Sequence, residues 1–358
     1  MATSNFSAPG LNFFFQSDRA KIDGKVVSQL VQFIQGAKHS LDVAIYDIRK
    51  DEVLNALKGM SSKVKLHILY DNGKPAGKSK SVDPKPSKNA QAIKAHGLDK
   101  FAQPVKEKSS HLMHDKFIVR DGSSVWTGSG NFTNGGLVLQ DNNFMTIDSA
   151  AIAAAYEKTF GELGAPGHSQ THNTGVVTSS PTNVKVGAIP ISVQFSTQVG
   201  ATEGIEIEVQ KRLKNAKKVR IIAMLISDPG ILTSLLPFKK AGKDIMGVLD
   251  PHEMKVAMGK NATKPEFWFA QGDSRFVFAP SKPFDTSGKD TNNFMHNKVM
   301  IIDDKVVITG SYNFSENAEA NDENMLVIES AAVAAAYDNY FNALFALYKK
   351  TGPKLPPK

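Results

Sequence analysis

Apolar and polar positions along the chain alternate between two rhythms, and the same succession runs through the sequence twice. LNFFFQSD is an apolar run of strand length, and VSQLVQFIQGAKHS then sets Val27, Leu30, Val31, Phe33 and Ile34 at helical spacing. LDVAIYDI predicts a strand, DEVLNALKGM a helix and VKLHILYD a strand ending at Asp71. After the midpoint, ISVQFSTQ, IEIEVQKRLKNAKK, VRIIAMLIS, PGILTSLLPFKKAG and DIMGVLD repeat this order, and the last strand ends at Asp250. Each series closes on a near-identical helix, IDSAAIAAAYEKTF or IESAAVAAAYDNYF. Alternating strand and helix signals predict helices packed on both faces of a largely parallel or mixed sheet in each half.

Between the halves, GAPGHSQTHNTGVVTSSPTNVKVGAIP is rich in Gly, Pro, Ser, Thr and Asn without apolar period and predicts a linker. The expected organisation is a first half over residues 1–165, a linker over 166–190, a second half over 191–348 and a basic tail over 349–358. Phe267, Trp268 and Phe269, followed by RFVF, predict strand core rather than an interfacial anchor.

Composition narrows the chemistry. With 358 residues, 41% hydrophobic and 22% charged, the chain has an ordinary globular balance and room for two domains. The absence of cysteine excludes disulfides, thiolate metal sites and thiol nucleophiles. The N-terminus lacks a basic, apolar leader and no run approaches a membrane span, so a cytoplasmic protein is expected. A net charge of +8 favours an anionic partner.

The strongest repeat carries the chemistry. HDKFIVRDGSSVWTGSGN and HNKVMIIDDKVVITGSYN both read H-x-K-x4-D-x6-G-S-x-N, the second copy starting 182 positions after the first (296 − 114). D-G and D-D mark hairpin turns between short apolar strands. Extended backbone sends His114 and Lys116 to one side, as it does His296 and Lys298. Asn131 and Asn313 add amides, and Ser129 and Ser311 add hydroxyls. Such donors suit a phosphoryl group: lysines and amides hold its oxygens, one histidine attacks phosphorus, and the other protonates the leaving oxygen. The lysines supply the positive charge, so no metal or cofactor is expected.

These paired motifs resemble the phospholipase D superfamily, and the likeness covers nearly the whole chain. The resemblance implies two tandem α/β/α sandwich halves about a pseudo-two-fold axis, with the active site at their interface. It implies catalytic histidines at His114 and His296, phosphate-binding Lys116, Lys298, Asn131 and Asn313, and Ser129 and Ser311 bordering the site. Asp121 and Asp303 would support the hairpins. The family also places an acid or amide after G-S-x-N to orient a histidine. Glu323 and Asn142 match it, with Asp141 a rival, and the expected crossing has Glu323 holding His114 and Asn142 holding His296. His114 would then be the nucleophile. One chain would suffice for one site.

For the substrate, the stretch between Asp71 and His114 holds nine lysines against three acidic residues, whereas its counterpart from Pro251 to Met295 holds six basic residues against five acidic. Lys74, Lys78, Lys80, Lys85 and Lys88 are thus expected to contact a polyanion. The leading expectation is a metal-independent nuclease acting on DNA or RNA through a phosphohistidine. The alternative is a phospholipase D or phosphatidyl transferase working at an anionic phospholipid surface.

Overall fold

Two sheets of matching strand order underlie the doubled pattern. The computed structural model describes residues 4–72, 87–105, 111–166, 181–196, 204–240, 243–280 and 292–353. The first half contributes β1 (Asn5–Ala8), β2 (Leu11–Ser17), β3 (Ile22–Asp23), β4 (Ser40–Ile45), β5 (Lys65–Asp71), β6 (Ala102–Val105), β7 (Lys116–Arg120), β8 (Ser124–Gly128) and β9 (Asn142–Asp148). They pair in the order β1-β2-β9-β8-β7-β4-β5-β6, with β3 added beside β2. The second half contributes β10 (Thr182–Val186), β11 (Ile189–Phe195), β12 (Lys218–Ala223), β13 (Asp244–Leu249), β14 (Phe276–Phe278), β15 (Lys298–Ile302), β16 (Val306–Gly310) and β17 (Asn324–Glu329). Their order, β10-β11-β17-β16-β15-β12-β13-β14, is the first sheet's order over again. In both, the last three strands are parallel and the motif hairpins, β7–β8 and β15–β16, are antiparallel.

The helices are α1 (Val26–Gln35), α2 (Asp51–Met60), α3 (Lys88–Ala95), α4 (Ala150–Leu163), α5 (Ile205–Lys214), α6 (Pro229–Leu235), α7 (Pro251–Met258), α8 (Glu316–Glu319) and α9 (Ala331–Thr351). Strand alternation divides the buried side chains between layers. In β7, Phe117 and Val119 face a central core while Ile118 faces an outer one covered by α1, α2 and α3. In β15, Val299 and Ile301 enter the same central core, while Met300 and Ile302 turn to an outer core with α5, α6 and α7. The closing helices α4 and α9 fill the central layer, so the halves share one continuous core. On α9, Tyr337 and Tyr340 pack against Phe15 of the first sheet at ring-centroid distances of 4.9 and 4.8 Å.

Three boundaries differ from the sequence expectation. The expected linker over 166–190 contains β10, because Val184 and Val186 alternate with Asn183 and Lys185 and pair with β11; residues 167–180 lie outside the described part. The turn residues around Gly187, in the left-handed region at φ 58°, masked that alternation as loop composition. The expected tail over 349–358 begins inside α9, which runs to Thr351, since Lys349 and Lys350 extend a helix whose C-terminal end favours positive charge. Phe267, Trp268 and Phe269 are core, but in a 3₁₀ segment, Pro265–Ala270, because a proline at its start suits a helical turn better than a strand. The polar start also holds β1, paired with β2.

Candidate active site

Backbone pairing across the halves brings the two motifs together. His114 N–H donates to Asp322 O (3.0 Å) and Asp322 N–H to Leu112 O (2.9 Å). In the mirror position His296 N–H donates to Asp141 O (3.0 Å) and Asp141 N–H to Phe294 O (3.2 Å). The aspartates at the ends of β5 and β13 brace these segments, Asp71 accepting from Met113 N–H (3.0 Å) and Asp250 from Met295 N–H (3.3 Å). Each histidine is therefore fixed by the strand lead-in of the opposite half, and both are buried.

Their side chains also reach across. His114 Nδ1 lies 2.8 Å from both Glu323 Oε1 and Oε2, and His296 Nδ1 lies 3.0 Å from Asn142 Oδ1. Asn142 Nδ2 donates to Gly136 O (2.8 Å), and its Oδ1 also accepts from Ser129 Oγ (2.7 Å). An oxygen facing His296 Nδ1 requires the proton on Nδ1, which leaves Nε2 for chemistry. Burial raises the Glu323 carboxyl to about 8, against the pull of Lys116 and hydrogen bonds from Ser311 and Asn321. Burial, then Lys116 and Lys298, hold His114 well below the usual histidine range. His296 is lowered in the same way, by burial and then by Lys298 and Lys116. Asp141, the rival orienting residue, faces away from His296 toward Arg19 Nη2 and Tyr348 OH, both at 2.6 Å.

Lys116 and Lys298 are buried beside the histidines. Lys116 Nζ donates to His114 O, and Lys298 Nζ to His296 O at 2.6 Å. Burial pushes Lys116 down to about 8 and Lys298 well below the lysine range, the latter lowered further by Lys116. Two desolvated, mutually repelling ammonium groups are the electrostatic complement of a phosphate, whose charge would hold their protons in place. Asn131 and Asn313 each carry a buried side-chain oxygen with no hydrogen-bond partner among the described residues. Gly128 and Gly310 sit at φ 156° and 143°, and a Cβ there would lie 2.3 Å from Asn143 O or Asn324 O. The motif glycines thus let the hairpin end approach the strand that delivers Asn142 or Glu323.

Other motif residues stand apart from this cluster. Asp121 closes the β7–β8 turn and accepts the backbone N–H groups of Lys38, His39 and Ser40, while Asp303 accepts those of Lys217 and Lys218. Lys88 opens α3 with an exposed side chain; Lys74, Lys78, Lys80 and Lys85 lie outside the described residues.

A layer behind the histidines escaped sequence reasoning. Asn324 Nδ2 donates to Asp115 Oδ1 (2.6 Å), and its Oδ1 accepts from Thr127 Oγ1 (3.3 Å) and Tyr156 OH (3.2 Å). Asn143 mirrors it, donating to Asn297 Oδ1 (2.9 Å) and accepting from Thr309 Oγ1 and Tyr337 OH, both at 2.9 Å. Each asparagine joins the opposite half's H-x-K strand. Their signal was present in the repeat, where Asn143 and Asn324, Thr127 and Thr309, and Tyr156 and Tyr337 occupy matching places.

Comparison with known proteins agrees with this architecture. A family model described as cardiolipin synthase, PLD-like domain, matches residues 30–163 and again 209–345. The mitochondrial cardiolipin hydrolase of Xenopus laevis is 27% identical over 147 residues, covering 41% of this chain and 64% of that protein. A phospholipase D of Rickettsia prowazekii (strain Madrid E) is 30% identical over 154 residues, covering 42% of this chain and 66% of that protein. The chain thus spans just under two thirds of the length of these curated relatives. Among solved structures, phosphatidylserine synthase from Haemophilus influenzae Rd KW20 shares the fold with a TM-score of 0.66 at 13% identity, covering 99% of this chain and 91% of that one. With one PLD-like domain in each half, the chain belongs to the phospholipase D superfamily.

Proposed function

We propose that this chain is a phosphodiesterase acting on phospholipids, cleaving the bond between a phosphatidyl group and its headgroup alcohol. The observation that carries the reading is the match of both halves to a cardiolipin synthase PLD-like domain, supported by relatives named phospholipase D and cardiolipin hydrolase. The nucleic-acid expectation leaned on a lysine-rich stretch, six of whose nine lysines lie outside the described residues. A net charge of +8 serves an anionic bilayer as well as a polynucleotide.

In the reaction His114 Nε2 attacks phosphorus; the phosphorus–nitrogen bond forms as the bond to the leaving oxygen breaks, and His296 protonates that oxygen. Water, or an alcohol in a transfer reaction, then gives its proton to His296 and attacks phosphorus, releasing His114. Glu323 meets the positive charge that grows on the His114 ring as it becomes phosphorylated. Lys116, Lys298, Asn131 and Asn313 hold the non-bridging oxygens.

The test incubates purified protein, with His114→Asn as blank, in parallel with phosphatidylcholine, phosphatidylglycerol and cardiolipin vesicles, plasmid DNA, single-stranded DNA and RNA. Histidine-dependent headgroup release is the expected result. Cleavage of a nucleic acid with every lipid intact would overturn the reading and restore the nuclease assignment.

A further inference from the structure

A ring outside both motifs touches the two reactive groups of the first half-site. Tyr46 follows β4, and its N–H donates to Asp115 O (3.0 Å), fixing the residue beside the H-x-K segment. Its ring meets the His114 imidazole nearly edge-on, with centroids 5.0 Å apart and planes at 61°. Lys116 Nζ lies 5.2 Å from the same ring's centroid. An aromatic ring attracts a cation to its face and fixes a neighbouring ring by edge-to-face packing, so one side chain constrains both groups.

The second half-site lacks this arrangement. Met224 occupies the equivalent place, its N–H donating to Asn297 O (2.9 Å). His296 takes its ring contact from Phe294, 5.4 Å away, two positions before it in its own motif segment. Among the described residues, no ring bridges His296 and Lys298.

We propose that Tyr46 is a positioning residue whose ring sets the His114 imidazole and the Lys116 ammonium for attack on phosphorus, making the first half-site the nucleophilic one. The proposal rests on the reading of His114 as nucleophile given above. The ring carries the role, because the contacts it makes with His114 and Lys116 are ring contacts, which phenylalanine keeps and an aliphatic side chain loses. Methionine is the residue the second half already uses at this place.

The experiment follows bis(p-nitrophenyl) phosphate, which carries neither acyl chain nor nucleoside, so an error in substrate class leaves the result untouched. Rapid mixing separates the p-nitrophenol burst, which reports attack on phosphorus, from steady-state turnover. Tyr46→Phe is expected to stay within about threefold of the wild type, whereas Tyr46→Met and Tyr46→Leu lower the burst rate by on the order of ten- to a hundredfold with KM moving less than about threefold. The ring stabilises the Lys116 ammonium, so both aliphatic variants also move the alkaline fall of kcat/KM to lower pH, and Tyr46→Phe does not. An unchanged burst in a folded aliphatic variant overturns the proposal, as does a Tyr46→Phe loss equal to theirs. Phosphopeptide mapping of the quenched wild type separates the two claims: label on His296 would defeat the nucleophile assignment itself, whatever the Tyr46 variants do.

Discussion

His114 meets a carboxyl group where His296 meets an amide, in two sheets of the same strand order. Lys116 lies over the Tyr46 ring, while Met224 holds the corresponding place in the second half, its N–H donating to Asn297 O. Duplication has preserved the frame, and the side chains behind each histidine have diverged in charge. A carboxylate partner favours a ring that must become cationic when it bonds to phosphorus; an amide partner fixes the tautomer without stabilising that cation. The sharpest way to break this division of labour is to remove each histidine in turn. His114→Asn and His296→Asn are each expected to lower phospholipid turnover by about four orders of magnitude or more. With bis(p-nitrophenyl) phosphate they part company, because p-nitrophenolate leaves without a proton. His296→Asn should then accumulate a p-nitrophenyl phosphoryl group on His114, for want of a base to activate water, and His114→Asn should accumulate none. Label retained by His114→Asn would show that the half-sites are interchangeable.

Glu323→Gln makes the first half-site copy the second. The amide can still accept from Nδ1, but it no longer balances charge on the ring, and kcat is expected to fall by about a hundredfold with little change in KM. Near-normal turnover would mean that the Glu323 carboxylate orients the ring and contributes nothing further.

The contrast between the halves also marks what the sequence could and could not disclose. His114, Lys116, Asn131 and their repeats were legible because short apolar strands and hairpin turns fix which side chains share a face. Glu323 and Asn142 came from the family resemblance, which places an acid or amide after G-S-x-N; setting Asn143 against Asn324 then put Asn142 opposite Glu323, with Asp141 left as a rival. Asn143, Asn324, Tyr156 and Tyr337 were overlooked because their partners lie in the opposite half, and no local period reports a contact across a pseudo-symmetric interface. Tyr46 was hidden for a related reason: its place in an apolar strand run explained it fully until the fold set that strand's end beside His114. The strand β10 was lost to local composition, whose Gly, Pro and Asn outweighed a five-residue alternation.

Asn142→Asp runs the exchange in the other direction and gives both histidines a carboxylate. Burial and the two lysines keep the His296 imidazolium below its usual range, so its acid form is lost as pH rises. A carboxylate at Asn142 Oδ1's position would stabilise that acid form and raise its pKa. The alkaline limb of kcat is therefore expected to move to higher pH, measured with a phospholipid whose leaving alcohol needs a proton. A limb that stays in place would show that another group supplies the proton.

The smallest effects should come from the layer of mirrored asparagines, where the two halves remain most alike. Tyr337 OH donates to Asn143 Oδ1 at 2.9 Å, and Tyr156 OH donates to Asn324 Oδ1 at 3.2 Å. Removing either hydroxyl leaves the asparagine oxygen one remaining donor, Thr309 or Thr127, so neither variant strands a buried acceptor. Each change is expected to cost about 1 kcal/mol of unfolding free energy and to leave kcat within about threefold. Tyr337→Phe should be the costlier, because both donors to Asn143 are at 2.9 Å while those to Asn324 are at 3.2 and 3.3 Å. Urea denaturation of the two variants decides it. The reverse order would place the greater demand on the Asn324 side, where Asn324 also grips Asp115, a fully buried carboxyl that burial raises to about 8 and whose counterpart in the other half is the neutral Asn297.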